Sequence, residues 1–361
     1  MTLANTHTKL AAGGDFTIVY MGGSITQAGT MPRNQHMEPW GYRDHITDWL
    51  RRRYPDAQIR DVHAAVAGTG SEFGVLRMEK DVHPYRPDLV FVEYAVNDGG
   101  GDRLHLKQTM EGIVRQIWSR NPMADIVFVY TLGRGMFYDY AKEKLPGSIA
   151  AHTQVARYYG IPEVTMGWEF WLRELRGEMD WDAYFNDDVH PNAEGHAFYG
   201  QVVARELTPL LTGEAAAHTL PPAMTPHPWT DTHMTYAKDI PHPGWTEENH
   251  VYWNYDLTWV CSDQPGQTLQ YDFEGNLIGV YWHLAMDTGD VEISIDGEPW
   301  RRSPTWDGWV LQAPERINYK IWADDLPDGP HQLRLRIADG SQWAKCQGNH
   351  IQLIAFMTAK F

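Results

Sequence analysis

Residues 18–29 read IVYMGGSITQAG. Ile18, Val19, Tyr20 and Met21 have the apolar content of a buried strand, and Gly22-Gly23 end it abruptly with Ser24 directly behind. Glycine reaches φ > 0 without steric cost, so the pair predicts a sharp turn. Two uses of Ser24 fit that turn. Its hydroxyl can cap a following helix. Alternatively, the turn lifts the serine out at the carboxyl end of the strand, where open α/β sheets keep their ligand sites.

Outward from this stretch, the chain alternates from residue 16 to about 210. The segments FTIVYM, AQIRDV, PDLVFVEYA and ADIVFVYT are short, rich in Val, Ile and aromatics, and bounded by turn residues. Between them YRDHITDWLRRRY and LKQTMEGIVRQIWSR carry apolar residues three and four apart, the spacing of one helix face, and AEGHAFYGQVVARELTPLL closes the series. Strands alternating with helices predict a parallel sheet in a three-layer α/β domain over residues 1–212.

Residues 213–245 are rich in proline, with TLPPAMTPHPWT and DIPHPG, and read as a linker wrapped over the surface. From 246 to 361 the pattern changes to period two, in TLQYDFEG, LIGVYWHLA, GDVEISIDGEPW, INYKIWA, HQLRLRIADG and HIQLIAFMTA. Turns such as DGEP and LPDGPH separate these runs, which predicts an antiparallel all-β sandwich or jelly roll. Trp259, Trp282 and Trp322 read as core. Trp300, Trp306 and Trp309 fall in a polar loop region, where they suit either stacking on sugar faces or covering the other domain.

The chain has 361 residues and a net charge of −17, which argues against nucleic acid and anionic membranes as partners. Cys261 and Cys346 are too sparse for a disulfide framework or a zinc site. His45 with Asp48 reads as helix surface. Neither the N-terminal stretch MTLANTHTKLAAGGD nor any apolar run reads as a signal peptide or membrane span, so a cytoplasmic protein is expected. No cofactor or metal is called for, and a homo-oligomer is compatible with the sequence.

Three further loops carry polar residues at the same predicted end of the sheet. VHAAVAGTGSEFG follows the second strand, with Gly68 and Gly70; VEYAVND follows the third, with Asn97; and FNDDVHPNAEGH precedes the last helix, with Asp187 and His190. Together with GGSIT, these four blocks resemble those of the SGNH hydrolases, also called GDSL esterases. The resemblance spans about residues 16–208, with Gly23 where the family often has Asp and Ala95 in place of the third block's glycine. It implies a flavodoxin-like catalytic domain whose triad is Ser24, Asp187 and His190. It also implies an oxyanion hole of the Ser24 N–H, the Gly68 N–H (Gly70 as the fallback) and the Asn97 side-chain amide.

The chemistry explains these residue types. A serine hydroxyl is a weak nucleophile at neutral pH and needs a base, which His190 supplies, while a carboxylate fixes the imidazole tautomer. The stretches NQHMEPWGYRDH, RGMFYDY and MGWEFW mix aromatics with hydrogen-bonding groups, which suits a sugar ring. Resemblance to SGNH enzymes with an appended β-sandwich implies a carbohydrate acetyl esterase acting on xylan- or mannan-type oligosaccharides. The alternatives are a short-chain arylesterase or thioesterase of the same fold, and a non-catalytic glycan-binding protein.

Overall fold

A computed structural model describes residues 1–28, 38–252, 255–311 and 315–361. The chain divides into two units, residues 1–230 and 231–361. In the first, strands β1 (Gly14–Gly22), β2 (Ala57–Ala65), β3 (Leu89–Glu93), β4 (Asp125–Tyr130) and β5 (Glu163–Thr165) form one sheet of order β2-β1-β3-β4-β5. Every pairing in it is parallel. This is the flavodoxin-like order, in which neighbouring connections leave β1 and β3 in opposite directions and open a crevice at their carboxyl ends.

Both faces of the sheet are covered. Phe16, Ile18 and Tyr20 enter one core with Tyr42, Ile46 and Leu50 of the helix Tyr42–Arg53 and Phe198, Tyr199 and Val202 of the helix Ala193–Leu207. Val19 and Met21 point the other way and are also buried, which is why β1 reads as an unbroken apolar run. The helices Arg103–Arg120 and Ala193–Leu207 start at capping side chains. Asp102 accepts N–H bonds from Leu104 and His105 at 3.0 and 2.9 Å, and Asn192 accepts one from Gly195 at 3.1 Å. Pro191, two residues ahead of the last helix, pairs with Phe185 in an isolated β-bridge.

The proline-rich stretch is not a free linker. Its first part is tied to the α/β unit: Ala216 exchanges two hydrogen bonds with Asn5, at 3.0 and 2.9 Å. Buried Glu111 accepts the Met224 and Thr225 N–H groups at 2.6 and 2.8 Å. Its second part contains strand β6 (Asp231–Tyr236), which belongs to the second unit, so the division falls at 230/231 and not at 212 and 246. Proline removes donors but leaves carbonyls, and these together with the remaining amides found partners on both units.

The second unit is all β: β7 (Thr246–Tyr252), β8 (Tyr255–Ser262), β9 (Thr268–Glu274), β10 (Leu277–Ala285), β11 (Val291–Ile295), β12 (Arg301–Ser303), β13 (Glu315–Ala323), β14 (Pro330–Ile337) and β15 (Ile351–Lys360). One sheet runs β13-β10-β15-β8-β7 with β6 also on β15, and the other runs β12-β11-β14-β9. Val280, Trp282, Leu353 and Phe356 of the first sheet share a core with Leu269, Tyr271, Ile293 and Leu333 of the second, which makes the sandwich. Trp282 and Trp322 belong to this core and Trp259 is buried. The three loop tryptophans have separate fates. Arg334 and Arg336 lie 4.9 and 4.3 Å from the Trp300 ring, and Trp306 stacks on Trp343 at 4.6 Å. Only Trp309 is well exposed. Among the described residues no helix is long and apolar enough to cross a membrane.

Candidate active site

β1 ends at Gly22, and Ser24 opens a one-turn helix, Ser24–Gln27. The two glycines serve a different purpose from the one expected. Gly23 has φ −93°, and Gly22 is not among the positive-φ glycines, so no left-handed turn is made. What they provide is room. A Cβ on Gly23 would lie 2.2 Å from Asn97 Oδ1, and one on Gly22 would lie 2.3 Å from Thr26 Oγ1. Asn97 follows β3, so the close approach at Gly23 joins the carboxyl ends of β1 and β3, the two strands that flank the crevice.

The third element comes from the loop before the last helix. Residues 185–191 close on themselves through the Phe185–Pro191 bridge and the Asn186 N–H to His190 carbonyl bond of 2.8 Å. Trp181 Nε1–H holds the Asp187 carbonyl at 2.9 Å, and the Arg134 N–H holds that of Asp188 at 2.8 Å. Inside this frame Asp187 Oδ1 accepts the N–H groups of Val189 and His190, each at 2.7 Å. Its Oδ2 lies 2.7 Å from His190 Nδ1. His190 Nε2 in turn lies 2.9 Å from Ser24 Oγ. Burial would raise the Asp187 carboxyl, but the bonds from the His190 ring and the two amides outweigh it and hold the group below the usual carboxylate value. Ser24 therefore does not use its hydroxyl as a helix cap.

The second block lies beside this chain of contacts. Gly68 is in left-handed backbone at φ +72°, a conformation that suits glycine. Its loop is anchored to the serine turn by the Ala67 N–H, which donates to Gln27 Oε1 at 2.7 Å. Gly70 instead caps the helix Ser71–Leu76, and a Cβ there would meet Asp98 Oδ1 at 2.2 Å. Buried Asp98 also accepts the Ser71 N–H and stands 2.9 Å from buried His152. Of the aromatic and polar stretches noted in the sequence, residues 34–37 lie outside the described residues, while Trp40, Tyr138 and Trp168 are exposed.

Two residues that brace the serine turn escape a reading of the sequence. Arg43 is 1% exposed; its Nε donates to the Thr26 carbonyl at 3.0 Å and its Nη2 to the Ala28 carbonyl at 2.7 Å. Its Nη1 pairs with Asp44 at 2.9 Å and contacts His63. Within an amphipathic helix an arginine beside an aspartate reads as solvent face. Glu93, the last residue of β3, is also 1% exposed. It accepts the Thr26 hydroxyl at 2.9 Å and the Thr131 hydroxyl at 2.7 Å, and the Gly23 N–H hydrogen-bonds to it as well. Burial raises its carboxyl above the ordinary value despite these donors. A lone acid ending an apolar run was the available signal.

A serine, an imidazole and a carboxylate in hydrogen-bond contact at the carboxyl end of a flavodoxin-like sheet belong with the class of carboxylic ester hydrolases. Residues 20–198 match the model of the GDSL-like lipase/acylhydrolase family. Among curated proteins, it is similar to the thioesterase 1/protease 1/lysophospholipase L1 of Escherichia coli (strain K12), 22% identical over 156 residues, 43% of this chain and 70% of that protein. Among solved structures, it is similar to a two-domain esterase active on acetylated mannans, co-crystallized with mannopentaose. The TM-score is 0.80 at 22% identity, over 99% of this chain and 94% of the other. A second structure of a two-domain esterase active on acetylated mannans gives 0.79 at 21%, over 99% and 95%. At these identities the structural likeness speaks for the two-domain fold.

Proposed function

We propose that this protein is a serine esterase that removes acetyl groups from mannan- or xylan-type oligosaccharides through an acetyl-enzyme intermediate. The observation that carries the reading is the unbroken chain Ser24 Oγ, His190 Nε2, His190 Nδ1, Asp187 Oδ2, with gaps of 2.9 and 2.7 Å. Ser24 Oγ attacks the acetyl carbonyl carbon while its proton passes to His190 Nε2. Asp187 stabilises the imidazolium that forms. The oxyanion receives the N–H of Ser24, the N–H of Gly68 and the Asn97 side-chain amide, each such donor contributing about 3 to 4 kcal/mol to the transition state. Collapse expels the sugar oxygen, which takes the proton from His190. Water, deprotonated by the same ring, then releases acetate and restores Ser24.

The acetylated-glycan substrate rests on the two-domain likeness to an esterase active on acetylated mannans and on the exposed aromatics Trp40, Tyr138 and Trp168. The similarity to a protein described as thioesterase and lysophospholipase supports the second reading, an acyl-thioesterase or arylesterase of the same mechanism. Rates on acetylated manno- and xylo-oligosaccharides, measured by mass loss of acetyl groups, are compared with rates on acyl-thioesters. Preference for the thioesters overturns the carbohydrate reading. Absence of turnover on every ester leaves a glycan-binding protein as the remaining alternative.

A further inference from the structure

We propose that Glu248 and Cys261, on neighbouring strands of the β unit, and His350, directly before a third, form a binding site for a zinc ion. In the sheet, β8 lies between β7 and β15. Cys261 pairs with Thr246 on one side and with Gln352 on the other. Side chains alternate between faces with period two, so Glu248, two residues past Thr246, projects on the face of Cys261. His350, two residues before Gln352, arrives at the same place from the other side. The carboxylate, thiol and imidazole donor atoms all lie within 4.8 Å of one another. Ligands about 2.0 to 2.3 Å from a tetrahedral zinc stand roughly 3.3 to 3.8 Å apart, so shifts of about 1 Å close the set.

Independent features of the same place favour a cation. A cleft of about 400 Å³ opens over the three side chains, and Asp263 and Asp287 line it with Glu248. Neither lysine nor arginine lines it among the described residues. Asp287 Oδ2 lies 3.4 Å from His350 Nδ1, and the Asp287 carbonyl accepts the His350 N–H at 2.9 Å. A carboxylate behind a histidine ring is the arrangement that orients imidazole ligands toward metals. The donor set of thiolate, imidazole and carboxylate suits zinc better than the harder magnesium or calcium.

The thiol itself points away from redox or nucleophilic chemistry. Burial, with the Glu248 charge added, pushes Cys261 up to about 12, so at neutral pH it is an inert thiol. Zinc changes that balance. The ion takes the sulfur lone pair, the S–H bond breaks, and one proton leaves to solvent for each ion bound. A second grouping of this kind among the described residues, Asp44, Asp61 and His63, is served differently, because the Arg43 guanidinium already supplies the positive charge there. Glu248, Cys261 and His350 belong to the β unit and the triad residues to the α/β unit, and the spacing of the first three along the chain matches no metal motif, which is why two scattered cysteines suggest none.

The full-length protein, stripped with chelator and desalted, is titrated with zinc by calorimetry and with cobalt(II) by absorption. The site predicts one zinc bound per chain, one proton released, and a thiolate-to-cobalt charge-transfer band. Zinc should also raise the thermal midpoint and protect the Cys261 peptide from alkylation in the unfolding range. Cys261→Ser and His350→Gln should each abolish the band or weaken zinc binding more than tenfold. His350 is half-buried, so its variant keeps the fold if the thiol variant does not. Stripped and loaded protein should hydrolyse p-nitrophenyl acetate at the same rate, which separates this site from the esterase reading. No cobalt band in the wild-type chain, or zinc binding unchanged in both variants, overturns the proposal.

Discussion

Gly23 and Asn97 pack so closely that a Cβ on the glycine would lie 2.2 Å from Asn97 Oδ1. This contact ties the turn that presents Ser24 to the amide proposed for the oxyanion. The Asn97 side chain occupies the space that a Cβ at residue 23 would need. Gly23→Ala should therefore act as an oxyanion-hole mutation at a distance. We expect kcat for p-nitrophenyl acetate to fall by about 10²-fold or more, the value of one donor, with KM little changed. Steady-state kinetics with circular dichroism to verify the fold test it. An unchanged kcat would show that Asn97 can move aside without loss.

Ser24→Ala should abolish turnover and leave the thermal midpoint close to that of the wild type. The hydroxyl contributes one hydrogen bond to His190, while the turn is held by Arg43, Glu93 and Gln27. A serine-directed inhibitor should add its mass to the peptide containing Ser24. An adduct on another serine would move the nucleophile elsewhere.

Asn97→Ala and Asp187→Asn separate transition-state work from substrate binding. The first removes a donor to the developing charge and the second disturbs the tautomer and charge of His190, so both should lower kcat far more than they change KM. Asn97→Ala should cost about two to three orders of magnitude. Uniform increases in KM at constant kcat would mean that both residues bind the ground state.

Glu93 gives a distinction between charge and hydrogen bonding. Its carboxyl gathers the Thr26 and Thr131 hydroxyls and the Gly23 N–H in a fully buried place. Glu93→Ala strands these donors, at about 1 to 3 kcal/mol for each unsatisfied group, and should lower both stability and kcat. Glu93→Gln keeps the shape and an acceptor oxygen, and should recover most of the stability. Urea unfolding of the two variants checks this order. Equal losses would show that the negative charge itself holds the turn.

Much of this arrangement was legible in the sequence, and the illegible parts share a cause. β1, β3 and β4 announce themselves because strands buried on both faces are continuously apolar, whereas the edge strand β2 alternates. β5 has three residues, Glu163–Thr165, too few for any period to show. Ser24, Asp187, His190 and Asn97 stand in short blocks whose order along the chain resembles a family. Arg43 and Glu93 carry no such mark. Their burial depends on which backbone carbonyls and hydroxyls the folded chain brings to them, and single-residue polarity points the other way. The proline-rich stretch misled for the same reason, since its partners Asn5, Glu111 and Asp125 lie far away in the chain.

Acid should destabilise the protein earlier than its carboxylates alone require. Burial holds His83 down to about 4, with a weaker opposing bond from Gln116. Burial, aided by the charges of His45 and Arg43, holds His196 down to about 3. The Tyr42 N–H donates to His196 Nδ1 at 3.1 Å, a bond that exists only while that nitrogen is unprotonated. In the unfolded chain both rings return to about 6.5. Below that value the unfolded state binds protons that the native state refuses, so stability is full above about pH 6.5 and declines as the pH falls toward the folded values. Well below pH 6.5, His196 alone should remove roughly 1.4 kcal/mol per pH unit. Urea unfolding at about pH 7 and pH 5 measures the decline. His196→Gln, which keeps an acceptor for Tyr42 without a titrating ring, should make it shallower. An unchanged pH dependence in that variant would mean that His196 takes up its proton in the native state.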